Sequence, residues 1–155
     1  MPNTDAIKTI PIAGDHAGPE LKAKIIAALK EFHFQDLGPS SSESVDYPDF
    51  AEKVALLVSS GKAERGILIC GSGIGMSISA NKFPGVRAAA TESVEGARLS
   101  REHNDANILC IGARLVPADR AIEMVRTWLT TKASDQARHC GRIDKIVALE
   151  KKHCR

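Results

Sequence analysis

A cysteine followed by three closely spaced glycines is the part of this 155-residue chain best suited to chemistry. Cys70 ends the apolar run GILIC, and Gly71, Gly73 and Gly75 follow it. Glycine loses more backbone freedom on folding than other residues, so this clustering indicates a backbone that closely approaches another group. Backbone N–H groups in such a loop stabilise negative charge, on the thiolate of Cys70 or on a substrate oxyanion. The alternative is a tight strand-to-helix turn with Cys70 packed in the core.

The loop differs from better-known glycine and cysteine motifs at identifiable positions. A dinucleotide-binding G-x-G-x-x-G needs a glycine where Met76 stands. A nucleophile elbow G-x-S-x-G around Ser72 needs glycines where Cys70 and Ile74 stand. The low-molecular-weight tyrosine phosphatase signature needs an arginine at position 76, again Met76. Without that arginine a phosphoryl transition state lacks its bidentate clamp, so we disfavour a phosphatase.

Short apolar runs alternate with amphipathic stretches along the chain. The runs occupy residues 7–13, 34–37, 66–70, 86–90 and 108–112. Apolar residues at helical spacing separate them, and Pro19, Pro48 and Pro117 stand where helices should begin. Alternating strands and helices predict a parallel sheet covered on both faces. We therefore expect a single domain over residues 1–155, a doubly wound, Rossmann-like α/β fold with five parallel strands and a C-terminal helix near 136–152.

Ligands of doubly wound sheets bind beyond the carboxyl ends of the strands, where the direction of winding reverses. In a 2-1-3 strand order, the loops after the first and third strands face each other across that crevice. These loops are GDHAG (14–18) and CGSGIGMS (70–77). The predicted fold thus brings two polar, glycine-rich segments together where a ligand is expected.

The composition argues against several other classes of protein. Lys and Arg total 21 against 19 Asp and Glu, so no global field favours nucleic acid or a membrane surface as a partner. The N-terminal residues lack the apolar core of a signal peptide, and no segment approaches about 20 apolar residues. We therefore expect a cytoplasmic protein.

The four cysteines do not form a recognisable metal or disulfide motif. They stand at positions 70, 110, 140 and 154 and form no C-x-x-C pair, so we expect neither a disulfide framework nor a zinc site. We interpret Cys110 as core packing.

Five separated motifs are similar, in the same order, to those of the type B ribose-5-phosphate isomerases. They are GDHAG, DYPDFA, GILICGSGIGMSISANK, PGVRAA and SREHNDANILCIGAR. The similarity extends from about residue 10 to about residue 150, and the wider family also contains galactose-6-phosphate and allose-6-phosphate isomerases. The resemblance implies an enzyme that interconverts aldose and ketose phosphates through an enediolate, without a metal or other cofactor.

The resemblance also implies roles for the glycine loop. Cys70 would be the base that moves a proton between C1 and C2 of the sugar. The backbone N–H groups of the loop would hold the enediolate oxygen, and Ser72 would shuttle protons between the two sugar oxygens. The N–H groups concerned belong to Gly71, Ser72, Gly73, Ile74 and Gly75. One branch of the family uses a glutamate instead of the cysteine, but Met76 occupies that place here.

A histidine in REHND resembles the general acid that opens the furanose ring in this family. An ordinary imidazole pKa of about 6.5 suits His103 to that task near neutrality. His103 and Asn104 precede the fifth strand, at the sheet edge opposite the Cys70 loop, so they cannot easily reach their own cysteine. We predict that they complete the site of a partner subunit in a homodimer or a dimer of dimers.

The remaining candidates would bind the sugar and its phosphate. Asp15 and His16 resemble the sugar-contacting pair of the family, although Asp15 equally suits a turn-capping residue. Tyr47 is a further possible sugar contact. Three arginines match phosphate contacts, with His139 nearby; the alternative for the last two is a solvated basic face. They are Arg114, Arg138 and Arg142.

The sequence favours ribose 5-phosphate and ribulose 5-phosphate as substrates. The galactose-6-phosphate branch lacks the histidine of HNDAN and the pair that is here Arg138-His139 and Arg142. Allose 6-phosphate, galactose 6-phosphate or a tetrose phosphate stays open as an alternative. A phosphosugar-binding module without catalysis is a second alternative, because a fold does not imply a function. A redox role for Cys70 is a third, weakened by the lack of a resolving cysteine nearby in sequence.

Overall fold

Five parallel strands form the sheet of the protein, of which a computed structural model describes residues 8–154. The strands are β1 (Thr9–Gly14), β2 (His33–Asp36), β3 (Gly66–Cys70), β4 (Ala88–Ala90) and β5 (Ile108–Gly112). The helices are α1 (Pro19–Ala28), α2 (Tyr47–Ser59), α3 (Ile74–Ala80), α4 (Val94–Asn104), α5 (Ala118–Thr130) and α6 (Ala137–His153). None of these described helices is both long and apolar enough to cross a membrane.

The strand order is β2-β1-β3-β5-β4. Every pairing in the sheet is parallel, so the carboxyl ends of all strands meet at one edge. The winding direction reverses between β1 and β3, as the 2-1-3 order predicted. The expected doubly wound α/β fold and the expected C-terminal helix, observed as α6, are confirmed.

Two hydrophobic clusters pack on opposite faces of this sheet. In β3, Ile67 and Ile69 contact the cluster that includes α1 and α5. Leu68 and Cys70 contact the cluster that includes α2 and α3. Successive residues of a strand point to opposite faces, so a strand buried on both sides reads as an unbroken apolar run. Truncating a fully buried residue such as Ile69 to alanine lowers the free energy of unfolding by about 2–5 kcal/mol. Packing of this strength holds the carboxyl edge of the sheet in place.

The C-terminal helix α6 differs from the others in how little of it is buried. Of its 17 described residues, His139 is the one buried side chain, and it packs against α4. Ile146 and Leu149 are 43% and 59% exposed. A lone helix of about 15 residues is only marginally stable in water, so most helical stability comes from packing an apolar face. The exposed apolar residues of α6 therefore form a face that lacks cover within the described part of the chain.

Candidate active site

A cleft of about 520 Å³ opens at the carboxyl edge of the sheet, where the winding reverses. It lies between the loops that follow β1, β3 and β5. Eight residues singled out in the sequence line it: Asp15, Tyr47, Cys70, Gly71, Ser72, Ile74, Gly75 and Arg114. Ile78 and Leu115 complete the lining. The predicted meeting of the GDHAG loop with the glycine loop is therefore observed.

Cys70 lies at the base of the cleft and is 5% exposed. The backbone N–H of Gly73 donates a hydrogen bond to its Sγ atom across 3.1 Å. Gly73 adopts a left-handed φ of +78°, and a Cβ atom there would lie 3.1–3.3 Å from the backbone of Ile111, Gly112 and Cys110. An N–H donor aimed at sulfur stabilises the thiolate more than the thiol. The loop thus combines a nucleophilic sulfur with a backbone geometry that glycine fits best.

Gly112, at the end of β5, fixes the position of the glycine loop. A Cβ atom on Gly112 would lie 2.7–2.8 Å from the backbone of Ser72. The N–H of Ala113 donates to the carbonyl of Cys70 at 2.8 Å, and the N–H of Arg114 donates to that of Gly71 at 3.0 Å. The sequence analysis did not identify Gly112. The glycine that ends the apolar run ILCIG was the available indication, because that strand ends beside β3.

The two cysteines on the central strands are in different environments. Cys110 is fully buried, in the same hydrophobic cluster as Cys70. Burial, together with the neighbouring Cys70, raises the pKa of the Cys110 thiol well above its ordinary value. Cys110 therefore stays a thiol and acts as core packing, as predicted. All four cysteines are free.

Asp15 has both a structural and a cleft-lining position. Its Oδ1 atom accepts a hydrogen bond from the N–H of Ala17 at 2.8 Å, and its own N–H donates to the carbonyl of Ile69 at 3.0 Å. The carboxylate, 5% exposed, also lines the cleft. The two interpretations of Asp15 are thus compatible. His16 does not line the cleft; its Nδ1 atom faces the N–H of Val45 at 3.5 Å, the outer limit of a hydrogen bond.

The rim of the cleft is apolar and exposed. Tyr47, Ile74, Ile78 and Leu115 are between 41% and 59% exposed. The ring of Tyr47 lies against the backbone of Gly75, where a Cβ atom would approach ring carbon Cζ to 2.6 Å. Large exposed apolar residues that surround a polar pocket mark an interaction site. The sequence analysis missed Ile78, which is one helical turn beyond Ile74, and Leu115, which follows Arg114.

Arg114 places a cation in the cleft. Its guanidinium Nη1 atom would lie 3.1 Å from a Cβ atom built on Gly71, so the side chain extends over the glycine loop. A guanidinium offers several N–H donors in a planar fork that matches the oxygens of a phosphate. Arg114 therefore lies where an anionic ligand can bind both to it and to the loop.

A second group of predicted site residues lies where α4 ends and α6 begins. We call it the histidine–arginine cluster, and it consists of His103, Arg138, His139 and Arg142. The rings of His103 and His139 stack, with centroids 4.3 Å apart and planes inclined by 9°. The pKa of His139 is lowered, first by burial, then by the positive charges of His103, Arg138 and Arg142. Arg138 and Arg142 are exposed, so a dissolved anion has access to both.

The histidine–arginine cluster and the cleft lie at opposite edges of the sheet. The end of β5 at Gly112 pairs with Cys70, whereas its start at Ile108 pairs with Gly66. His103 precedes that start. A strand rises about 3.3 Å per residue, so the length of β5, roughly 13 Å, separates the two regions. Asn104 is exposed and lies beside β4 and α6, outside the cleft.

The fold and the cleft define a class of protein: a small α/β protein whose cleft, at the carboxyl edge of a parallel sheet, holds a cysteine thiol, a glycine-rich loop and a guanidinium. Residues 10–146 match the Ribose/Galactose Isomerase family, and the chain belongs to that family. This confirms the resemblance found in the sequence. The chain is accordingly a sugar-phosphate aldose–ketose isomerase.

Individual relatives agree with this assignment over nearly their whole length. Ribose-5-phosphate isomerase B of Escherichia coli is 43% identical over 148 residues, 94% of this chain and 99% of the relative. The solved structure of ribose-5-phosphate isomerase B from Clostridium thermocellum has a TM-score of 0.89 and 50% identity, and the match covers 94% of this chain and 99% of that one. The Mycoplasma genitalium enzyme of the same name, solved with bound ribulose-5-phosphate, has a TM-score of 0.87 and 42% identity, with 93% and 97% coverage.

Proposed function

We propose that the protein interconverts ribose 5-phosphate and ribulose 5-phosphate, with Cys70 as the base that moves a proton between C1 and C2. The observation that carries the proposal is the hydrogen bond from the N–H of Gly73 to Sγ of Cys70, 3.1 Å long, at the base of the cleft. It supplies a sulfur stabilised for proton abstraction next to further N–H groups. The relatives named ribose-5-phosphate isomerase B support the choice of pentose.

The glycine loop suits both stages of such a proton transfer. Before the transfer, negative charge lies on the Cys70 sulfur, and the N–H of Gly73 stabilises it. As sulfur takes the proton, charge moves to the enediolate oxygen, and the loop N–H groups from Gly71 to Gly75 stabilise it there. Ser72, whose Oγ accepts the N–H of Ile74 at 3.3 Å, shuttles a proton between the two sugar oxygens. Because both charges lie beside one rigid loop, little reorganisation is needed during the reaction.

The sugar and its phosphate occupy the rest of the cleft. Arg114 binds phosphate oxygens from above the loop, and Asp15 orients a sugar hydroxyl and assists ring opening. His16 follows Asp15 in the same loop and contacts the end of the sugar that extends toward Val45. His103 is the acid that opens the furanose ring.

We further propose that the histidine–arginine cluster acts on the cleft of a partner subunit, in a homodimer with shared sites. The chain's own cleft lies roughly 13 Å away along β5, beyond the reach of the His103 side chain. The uncovered apolar residues Ile146 and Leu149 favour a second copy packing on α6. Such packing also places α6, which carries Arg138 and Arg142, against the partner subunit. Both arginines are exposed in the single chain and can then bind the phosphate in the partner's cleft.

The first experiment measures isomerisation of ribose 5-phosphate by chelator-treated protein, with the wild type beside Cys70→Ala. General acid–base catalysis contributes about 10²–10⁴-fold, so we expect kcat to fall by that factor in Cys70→Ala. The matched control is Cys140→Ala, which removes an exposed cysteine outside the cleft and should retain wild-type activity.

Two results would overturn parts of this proposal. Equal activity of Cys70→Ala and wild type refutes the cysteine base. A wild type that is silent on ribose 5-phosphate but active on allose 6-phosphate, galactose 6-phosphate or a tetrose phosphate refutes the pentose assignment while leaving the mechanism in place.

A further inference from the structure

His139 is a buried histidine for which the proposed reaction has no role. It is 4% exposed, although its neighbours Arg138 and Cys140 are both exposed. One face of its ring is stacked on His103 at 4.3 Å. Burying a polar ring at the start of an otherwise exposed helix costs free energy unless the ring makes a compensating contact. The stack on His103 is one such contact.

The stack restrains a side chain that would otherwise have rotational freedom. His103 lies near the end of α4, and its side chain is 38% exposed. A half-exposed imidazole samples several orientations, and ordering it costs conformational entropy. Packing one face against a buried ring that α6 holds in place selects the orientation in which the ring edge remains exposed. The N–H of Ser134 donates to the carbonyl of Glu102 at 2.9 Å, which joins the segment before α6 to the end of α4.

The groups around the pair keep His139 uncharged. Two imidazolium rings in contact would repel, so the stack tolerates one positive charge. The carboxylate of Glu102, which also pairs with Arg98, lies 3.9 Å from Nε2 of His103. Burial, followed by the charges of His103, Arg138 and Arg142, lowers the pKa of His139 and keeps its ring neutral. A neutral His139 ring therefore avoids charge repulsion within the stack.

We propose that His139 is a positioning residue: its buried ring stacks on His103 and holds that imidazole in the orientation needed to open the sugar ring. This inference rests on the proposed function, in which His103 is the ring-opening acid. It differs from a role for His139 as a phosphate ligand. A ring that is 4% exposed and stacked on one face offers little surface to a phosphate, whereas Arg138 and Arg142 are exposed.

The test compares His139→Phe, which keeps an aromatic face, with His139→Leu, which removes it. His33→Leu is the matched control, because His33 is exposed and lies on β2, outside both regions. We expect His139→Phe to keep kcat within about threefold, since offset aromatic stacking persists. Misplacing a catalytic group by about 1 Å costs up to about 100-fold, so His139→Leu should lower kcat about 10- to 100-fold with KM for ribose 5-phosphate nearly unchanged.

An NMR measurement reads the stack without relying on turnover. The ring current of His139 shifts the His103 ring protons upfield, so His139→Leu should move them downfield and His139→Phe should not. The assignment of these signals uses His103→Gln.

The outcomes distinguish failure of the positioning role of His139 from failure of the proposed isomerase function. A KM raised about tenfold in both His139 variants identifies a phosphate ligand and overturns positioning. Unchanged His103 shifts in His139→Leu, or equal kcat in His139→Leu and wild type, also overturn it. If His139→Leu does not fold, the KM of His139→Phe and its His103 ring-proton shifts decide between positioning and phosphate binding. If wild type lacks isomerase activity, the proposed function fails, and the NMR shifts alone still confirm or refute the stack.

Discussion

The cleft and the histidine–arginine cluster, both of which we expect to bind an anion, differ in the groups that they offer to it. In the cleft, the decisive donors are backbone N–H groups, held by the left-handed Gly73 and by the close approach of Gly112 to Ser72. In the cluster, side chains at the ends of two helices supply the charge, and Arg138 and Arg142 are exposed. A backbone site is complete once the sheet has folded. A site made of exposed side chains becomes rigid only when something packs on it, and four of the predicted residues, His103, Asn104, Arg138 and Arg142, depend on such packing.

The sharpest test of this comparison mixes two inactive variants. Subunits of Cys70→Ala and His103→Ala are exchanged by unfolding and refolding together. In a symmetric dimer, half of the molecules are then mixed, and one of the two sites in each mixed dimer has both wild-type residues. We expect activity to rise from nearly zero to roughly a quarter of the wild-type value. A fully exchanged mixture that remains as inactive as its components would refute the sharing of sites.

Substituting the backbone of the cleft should have the next largest effect. Gly73→Ala places a Cβ atom at a φ of +78° and within 3.1 Å of Ile111. A left-handed L-residue costs about 1–2 kcal/mol, and removing one oxyanion donor costs about 10²–10³ in kcat. The matched control is Gly85→Ala, which has a φ of +76° and open space around the added Cβ. Both variants should unfold more easily, but kcat should fall only in Gly73→Ala. Equal kcat in the two variants would mean that the loop does not stabilise an oxyanion.

Substituting an arginine in either region should have a smaller effect than substituting Gly73, and the effect should be on substrate binding. Arg114→Ala and Arg142→Ala each remove a charged hydrogen-bond donor worth about 1.5–3 kcal/mol, so we expect KM for ribose 5-phosphate to rise about tenfold or more. Arg126→Ala, which removes an exposed ion pair with Glu31, is the control and should leave KM unchanged. Mixing the Arg114 and Arg142 variants should restore part of the binding. If both arginines instead bind the phosphate in the cleft of their own subunit, mixing the two variants will not lower KM.

The smallest expected effect concerns stability and pH. The pKa of His139 is lowered in the folded protein, so the unfolded chain binds the proton more tightly. The stabilisation from neutral His139 is therefore complete above the unfolded pKa of about 6.5 and decreases as pH falls below it. The groups around His139 that act on this titration are His103, Arg138, Arg142 and Glu102.

His139→Phe removes this titration, so its Tm should fall less than that of wild type between pH 7.5 and pH 5. Calorimetry at fixed protein concentration measures the difference, because an oligomer's Tm depends on concentration. A wild type and a His139→Phe variant with parallel Tm profiles would show that His139 carries no such linkage.

The sequence by itself predicted the strands, the order of the first three and the residues of the glycine loop. Apolar periodicity is local, and the face of a strand follows from alternation alone. The position of Cys70 at the end of a buried run, with Gly73 three residues on, therefore predicted the location of the cleft, and its chemistry stays a prediction. The resemblance to the isomerase family identified His103, Arg114, Arg138 and Arg142 as candidate site residues. The chain order of α4 and β5 alone placed His103 at the far edge of the sheet.

Only the tertiary structure decided which residues meet. It turned His16 away from the cleft, brought Ile78 and Leu115 to its rim and stacked His139 on His103, because these contacts join elements distant in sequence. Lys22 is a further case: it is 2% exposed and pairs with Asp36 at 2.7 Å, although a lysine in a helix normally faces water. Such burial depends on a partner on another element, and a local pattern contains no information about that partner.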